Sequence, residues 1–471
     1  MTTKLIAREE PATYKVLLET ARAQSRALSD LLISDVAQLG PGSSGEFDYI
    51  DIGSVNNLTK QIEAPKRLPC SEAPSRARQR VRAGDVLVSM TRPNLNAVAL
   101  VPRALDGATA STGFHVLRAG MGAQPDWLFY AVQSPQFVGA MSELVQGALY
   151  PAVRPKDIRA FSLIVPTNEA QRKIVAYLDE QLSRLDASVA ALQRAQANLK
   201  RYRASVLKSA CGGRLVPTEA ELARRDGRDF EAGAQLLQRI LAERASCWAG
   251  RNLSAEPTAP DHGHLPALPD GWTWSSAEQL CGFITKGTTP SANKLGTSGE
   301  VRFLKVYNLA NDGVLNYDYK PAFVSRETHE GELARSMSVA GDVLMNIVGP
   351  PLGQVCVVPP AVSKANINQA IARFRTVLPE MNKYLAQTLL TRDVLDRSLR
   401  AAKTTVGQVN LTLQICREIA IPLPPLAEQQ RIVAEADRRL SLIRVAEAQV
   451  VANLARAQRL RQSILQAAFS N

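Results

Sequence analysis

"AGDVLVSM" at residues 83–90 and "AGDVLMNI" at residues 340–347 place the same five letters twice in one chain, 257 positions apart. Gly-Asp ahead of alternating apolar residues is a common way for a turn to enter a strand, so the five letters alone carry little weight. Their surroundings decide. Toward the C-terminus each copy leads through an apolar, proline-containing stretch to "VLRAG" (116–120) or "ARFRTV" (372–377), and then to a helix-like segment, "PDWLFYAVQSPQF" (125–137) or "MNKYLAQTLLTRDV" (381–394). A proline-marked strand follows in "FSLIVPTNEAQRKIVAYLDEQLSRL" (161–185) and "IAIPLPPLAEQQRIVAEADRRLSLI" (419–443). With Ile174 laid on Ile432 the offset is 258, and it holds without a gap to "KRYRASVLKSACGG" (200–213) against "QRLRQSILQAAFSN" (458–471). The spacing predicts a duplicated module of roughly 180 residues.

Each copy ends in about 40 residues that lack Pro and are rich in Ala, Leu, Arg and Gln, a composition that favours helix. In the first, Ile174, Leu178, Leu182, Leu185, Val189, Leu192, Leu199, Tyr202 and Val206 recur at steps of mostly four and three, the seam of a coiled coil. In the second, Ile432, Ala436, Leu440, Ile443, Val450, Leu454, Leu460 and Ile464 continue that phase, with Glu447 where the first has Val189. At 1.5 Å per residue each helix would span roughly 60 Å. A narrow stripe on so long a helix predicts a pair exposed along much of its surface. Between the modules, "FEAGAQLLQRILAERASCW" (230–248) is amphipathic and "SAEPTAPDHGHLPALPDGWTW" (254–274) opens as a proline-rich linker. "YKVLLETARAQSRAL" (14–28) resembles that amphipathic stretch, so the chain is expected to begin with a helix as well.

At 471 residues the chain suffices for about three domains. Apolar residues make up 45% and charged residues 21%, which excludes a disordered or collagen-like chain. The formal charge of +12 favours a polyanionic partner, because neutralising phosphates with Lys and Arg releases counterions. "MTTKLIAREEPATYK" has no apolar signal core, and no stretch nears the roughly 18 apolar residues of a membrane span, so a cytoplasmic location is expected. Cys70, Cys211, Cys247, Cys281, Cys356 and Cys416 are scattered without a C-x-x-C, which reads as reduced thiols with no disulfide or zinc framework.

Familiar catalytic patterns are missing. "ITKGTTP" (284–290) lacks the glycine spacing and the Lys-Thr of a nucleotide phosphate loop, and neither G-x-G-x-x-G, H-E-x-x-H nor G-x-S-x-G occurs. His115, His262, His264 and His329 have no metal-ligand spacing. "YDYK" (317–320) lacks the further carboxylates that metal-dependent cleavage requires. "PNLN" (93–96) lacks the second proline and the aromatic of an amino-methyltransferase loop that receives a flipped base.

The duplicated module, the helix starts "NEAQRKIVAYLD" and "LAEQQRIVAEAD", the helix ends "YRASVLKSACGG" and "LRQSILQAAFSN", and the segments "SMTRPNLNAVALVP" and "ASTGFHVLRAG" together resemble the specificity subunit of type I restriction-modification enzymes over essentially the whole chain. The resemblance implies an α+β fold with two pseudo-symmetric α/β target-recognition domains, separated by two long antiparallel helices that form a coiled coil. It divides the chain into an N-terminal helical segment (1–30), a first target-recognition domain (31–165), a first long helix (166–211), a central helical segment and linker (212–270), a second target-recognition domain (271–424) and a second long helix (425–471). The seam is then carried by Ile174, Leu178, Leu185, Leu192 and Leu199 against Ile432, Leu440, Ile443, Leu454 and Ile464. It further implies a non-catalytic chain that binds double-stranded DNA, reads one half of a split asymmetric target with each domain, and docks two methyltransferase and two motor-nuclease subunits. Those partners would use S-adenosylmethionine, ATP and Mg, with no cofactor held by this chain. A recognition or scaffold subunit of another methylation-based phage-defence system is the alternative. The second domain opens with "LPDGWTW" (268–274), whereas the first has "LSDLLISDVAQLG" (28–40) without a tryptophan pair, a departure that leaves its first strand unassigned.

Base edges are read mainly by Arg, Lys, Asn and Gln, and phosphates by Arg, Lys, hydroxyls and backbone amides. In the first domain this singles out Arg92, Asn94 and Asn96 after the opening motif, and Tyr150, Arg154 and Lys156 in "GALYPAVRPKD" (147–157). In the second it singles out Lys286, Thr288 and Thr289, and Lys403, Thr404, Thr405, Gln408 and Asn410 in "KTTVGQVN" (403–410). The 258 offset lays Tyr150 on Gln408 and Ala152 on Asn410, so one loop recurs as a matched site.

Overall fold

The computed structural model describes residues 24–33, 36–147, 149–248, 256–261, 263–310, 313–401, 404–405 and 408–469. The helix expected from residue 14 lies outside these as far as residue 23. Lys403 lies outside as well, together with the side chains of Thr404, Thr405 and Gln408. The chain divides into two compact units, Met1–Arg194 with Val450–Asn471, and Ala195–Gln449.

In the first unit the strands are β1 (Gln24–Ala27), β2 (Glu46–Ile50), β3 (Lys66–Pro69), β4 (Ala77–Arg80), β5 (Val86–Ser89), β6 (Val98–Leu100), β7 (Thr109–Ser111), β8 (Phe114–Leu117) and β9 (Ser162–Val165). They form sheets of order β3-β2-β7-β4 and β6-β5-β8, and a β1-β9 pair. In the second unit, β10 (Thr273–Ser276), β11 (Cys281–Lys286), β12 (Val301–Leu304), β13 (Phe323–Val324), β14 (Met337–Val339), β15 (Val343–Asn346), β16 (Val355–Val357), β17 (Lys364–Ile367) and β18 (Ile371–Thr376) repeat this plan, followed by β19 (Thr404–Thr405), β20 (Gln408–Val409) and β21 (Ala420–Leu423). Their orders, β13-β12-β17-β14, β11-β18-β15-β16 and β10-β21, match the first unit strand for strand, with β11 reduced there to a Leu32 bridge to Ala119.

Two expectations are corrected here. Gln24–Ala27 is a strand, not the end of a helix: Gln24 lies opposite Val165 as Thr273 lies opposite Leu423. Pairing with the proline-marked strand overrides the helical preference of "QSRA", and it supplies the first strand that the sequence leaves unassigned. Each segment read as one helix is two, Pro125–Ala131 with Pro135–Glu143, and Asn382–Leu389 with Arg392–Ala401. In the first pair the break falls where the Ser134 hydroxyl caps Phe137 N ahead of Pro135, a start signal that outweighs the continuing apolar period.

The repeated letters have a physical cause. Gly84 and Gly341 both turn at φ +89, a conformation that favours glycine. The next residue in each copy is a buried aspartate, Asp85 at 2% exposure and Asp342 at 1%. Asp85 accepts two hydrogen bonds from Arg118 (2.8 and 2.7 Å), and Asp342 two from Arg375 (2.7 and 2.8 Å). These arginines stand in "VLRAG" and "ARFRTV", so each ion pair ties the turn to a neighbouring strand (β8 or β18). Val, Leu and the alternating residues after them fill the cores around β5 and β15.

The paired helix starts are explained by a buried glutamine. Gln171 donates from its amide nitrogen to the carbonyls of Pro166 (2.9 Å) and Gly122 (2.8 Å), and its oxygen accepts from Gln124 N (2.7 Å). Gln429 likewise donates to Pro424 O (2.9 Å). Each fixes the bend where the proline-marked strand becomes helix.

The helices Asn168–Cys211 and Leu426–Phe469 are 44 residues each, about 66 Å at 1.5 Å per residue. In the first unit Ile174, Leu178 and Leu182 share a core with Leu465 and Ala468, and Asp186 pairs with Arg461 (2.6 Å), so the two helices run antiparallel. In the second, Arg203 pairs with Glu447 (2.7 Å) while Glu219, just past the first helix, reaches Arg431 (2.6 Å), again antiparallel. Ile174, Leu178, Ile432, Leu440 and Ile443 are buried, whereas Leu185, Leu192, Leu199, Leu454 and Ile464 are half-buried. Near the C-terminus the seam runs through Ala457, Arg461, Leu465 and Ala468, and Leu460 is 47% exposed. Apolarity alone points to Leu460, but the stem of Arg461 fills the position with its head on Asp186.

Candidate nucleic-acid interface

In the first unit, β5 ends at Ser89 and the chain makes a short 3-10 turn, Pro93–Leu95, before β6. Both residues flanking that turn are left-handed, Arg92 at φ +49 and Asn96 at φ +46. The loop is stitched to the matched segment downstream: Arg92 N donates to Pro151 O (2.8 Å) and Val153 N to Met90 O (2.9 Å). Arg92 and Asn94 are thereby brought beside Tyr150, Arg154 and Lys156, and all five are exposed. Tyr150 at 87% and Leu149 at 89% exposure leave an aromatic and an aliphatic side chain in solvent. Arg154 turns back onto Asp157 (3.2 Å), where it helps to start the short helix Pro155–Arg159, and the guanidinium holds the Asp157 carboxyl below the usual carboxylate range. Asn96 is committed inside the protein, its amide nitrogen donating to Val132 O (3.0 Å) and its oxygen accepting from Lys60 Nζ (3.0 Å).

The second unit repeats the stitching with other residues. Leu411 N donates to Ile347 O (2.9 Å), and Gly349 N to the side-chain oxygen of Asn410 (3.4 Å). Buried Asn346 ends β15 and donates to Pro351 O (2.7 Å), which shapes the proline loop. The antiparallel β19-β20 pair, Thr404 opposite Val409 and Thr405 opposite Gln408, leads directly into Asn410. Lys286 closes β11 opposite Ala372, and Ala372 lies opposite Met345, so Lys286, Thr288 and Thr289 stand at the same end of the β11-β18-β15-β16 sheet as the proline loop. The Thr289 hydroxyl is turned onto Gln369.

The two loops differ where side chains matter most. Gly349 stands three residues past β15 at φ +71 and Gly353 two residues before β16 at φ +74, the places that Arg92 and Asn96 hold around β5 and β6. A third left-handed residue of the first unit, Lys60 at φ +59, lies two residues before the Val55–Ile62 bridge closes; Gly313 at φ +85 holds that place before Leu315. Outside glycine this conformation costs roughly 1 to 2 kcal/mol per residue, and such strain gathers at functional sites. The second unit presents backbone here and the first presents side chains.

Sequence reading passed over two features. Lys60 is one, having no motif around it. The other is a row of arginines, Arg76, Arg78, Arg80 and Arg82, exposed on one face of the edge strand β4 and its flanks while Ala77, Gln79 and Val81 point inward. The period of two in "SRARQRVR" (75–82) was the available signal. The row begins at the loop end of the unit: Arg76 O accepts from Thr112 N (2.9 Å), and Gly113 O from Met90 N (2.9 Å). Among the described residues no group of His, Cys, Asp and Glu could hold a metal ion, and no helix is long and apolar enough to cross a membrane.

Two units of one topology, each bringing two loops of different composition to one sheet end, define a duplicated α/β architecture with paired long helices. Residues 269–438 match the family described as the type I restriction modification DNA specificity domain. The chain is 24% identical over 332 residues to the EcoDI type I restriction enzyme specificity subunit of Escherichia coli, a match covering 70% of this chain and 66% of that one. It is 22% identical over 435 residues to the EcoKI specificity subunit of E. coli strain K12, covering 90% and 82%. A solved structure from work on complex assembly and conformational transition of the type I R-M system superposes with TM-score 0.61 at 25% identity, covering 95% of this chain and 97% of that one. The chain is thus similar to type I restriction enzyme specificity subunits along most of its length.

Proposed function

We propose that this chain is the non-catalytic DNA-reading subunit of a type I restriction-modification complex, each unit reading one half of a split, asymmetric target. The observation that carries this reading is the paired loop construction. The same backbone stitch, Val153 N to Met90 O and Leu411 N to Ile347 O, presents Arg92, Asn94 and Tyr150 in one unit and Asn410 and a glycine-proline loop in the other, where Lys286 stands at the same sheet end. A shared scaffold with divergent loops suits two different half-sites, which a homodimer would not provide. Double-stranded DNA is the ligand. Two methyltransferase subunits using S-adenosylmethionine and two motor-nuclease subunits using ATP and Mg are the partners, and this chain holds no cofactor of its own.

Arg92→Ala or Asn94→Ala is expected to relax one half of the motif, and Lys286→Ala the other, each by about 1 to 3 kcal/mol of discrimination. Binding titrations against targets mismatched in one half at a time check this. Equal relaxation of both halves by any one variant would count against one half-site per unit. The exposed arginine row supplies phosphate contacts in this reading. Replacing Arg78 and Arg80 by Ala should reduce the slope of log affinity against log salt by roughly 2, at about 0.9 per contact, with sequence preference unchanged. A row that only guards the sheet edge against aggregation leaves that slope where it was.

A further inference from the structure

We propose that Lys60 is the positioning residue of the first unit's reading loop, holding Asn96 by its carbonyl and amide oxygens and thereby setting where Arg92 and Asn94 stand. The proposal rests on the DNA-reading function above and names the residue that tunes it.

Lys60 Nζ donates to the Asn96 carbonyl and, at 3.0 Å, to its side-chain oxygen. The Asn96 amide nitrogen in turn donates to Val132 O (3.0 Å) at the end of the helix Pro125–Ala131. Asn96 is therefore held from two sides, and its left-handed backbone closes the 3-10 turn that carries Asn94 and starts at Arg92. A flexible surface lysine would contribute little to such a hold. Lys60 is instead half-buried, in a cleft lined also by Tyr130, Leu182, Asp186 and Arg461. Burial, and then the neighbouring Arg461, push its ammonium down to about 8. The carboxylates at hand are engaged elsewhere: Asp186 takes Arg461 (2.6 Å) and Asp179 takes the Tyr130 hydroxyl (2.5 Å). The ammonium is thus directed at the loop. The second unit sharpens the contrast, since Gly313 and Gly353 stand where Lys60 and Asn96 do, and neither can form such a link. Its loop is anchored by Asn346 and by Asn410.

The test is selection of bound DNA from a random pool by the full chain and by K60M, K60R and N96G. N96G suits a left-handed position and removes the amide without straining the backbone. K60M and N96G are each expected to lose roughly tenfold of discrimination in the half of the motif that R92A relaxes, with the other half unchanged. K60R, with a cationic donor of similar reach, should retain the preference. If K60M and N96G leave that half as sharp as wild type, or blunt both halves together, the clamp is overturned while the DNA-reading function stands. A wild-type chain that returns no two-part motif overturns the reading itself and the proposal with it.

Discussion

Asp342→Ala will destabilise the second unit by about 3 to 5 kcal/mol, the range seen when one partner of a buried ion pair is removed. The carboxylate is 1% exposed, accepts two short hydrogen bonds from Arg375, lies 4.0 Å from the Arg373 guanidinium, and takes Val339 N (2.9 Å) and the Ser338 hydroxyl (3.0 Å). Arg373 is itself buried, and burial pushes its guanidinium down to about 10. Removing Asp342 leaves two cations short of their counter-charge and a turn short of its cap. Asp85→Ala should cost the first unit less, because Asp85 pairs with Arg118 and has no counterpart, among the described residues, to the second, buried guanidinium of Arg373. Denaturant unfolding followed by a probe in each unit measures both. A loss below about 1 kcal/mol for Asp342→Ala, the value of an ordinary surface pair, would refute this account of why "AGDVL" recurs.

Gly287→Ala should be the most disruptive change among the candidate reading residues of the second unit and their neighbours. A Cβ there would lie 2.0 Å from Ile367 O and 2.3 Å from Asn368 O, both backbone atoms that cannot swing aside. The segment Lys286–Thr289 must then leave the sheet end, breaking the Gly287 N to Ile371 O bond (3.0 Å). The expected result is a local loss of about 3 kcal/mol or more and loss of preference in the half-site that Lys286 serves, with the other half intact. Gly349→Ala is the control: nothing lies within 4 Å of its Cβ, so only the left-handed φ of +71 opposes it, at about 1 to 2 kcal/mol. If the two variants behave alike in unfolding and in half-site binding, close backbone approach at Gly287 is not what builds this end of the sheet.

The duplication, the long helices and the loops that face solvent were legible because they follow from local pattern. Gly84 and Gly341 mark left-handed turns, Pro166 and Pro424 mark strand ends, and residues 168–211 keep an apolar step of three and four. The helix Glu219–Asp226 was legible but passed over, since Thr218 with Glu221 forms a capping box and Gly227 ends the helix. Other features depend on partners far away in sequence. "QSRA" becomes a strand only because β9 lies beside it, and Arg461 enters the seam only because Asp186 waits there. Asn96 looked like a base reader by residue type, yet Lys60, 36 residues earlier, occupies its oxygen. Loop chemistry proposes candidates; tertiary hydrogen bonds decide which side chains remain available to a ligand.

Selection of DNA from a random pool by the wild-type chain, followed by sequencing of the bound fraction, shows directly whether each unit reads its own half-site. Two units reading unlike half-sites should return one motif in two unlike parts separated by a gap of fixed length and indifferent sequence. A continuous motif, two identical halves, or no enrichment at all would contradict it.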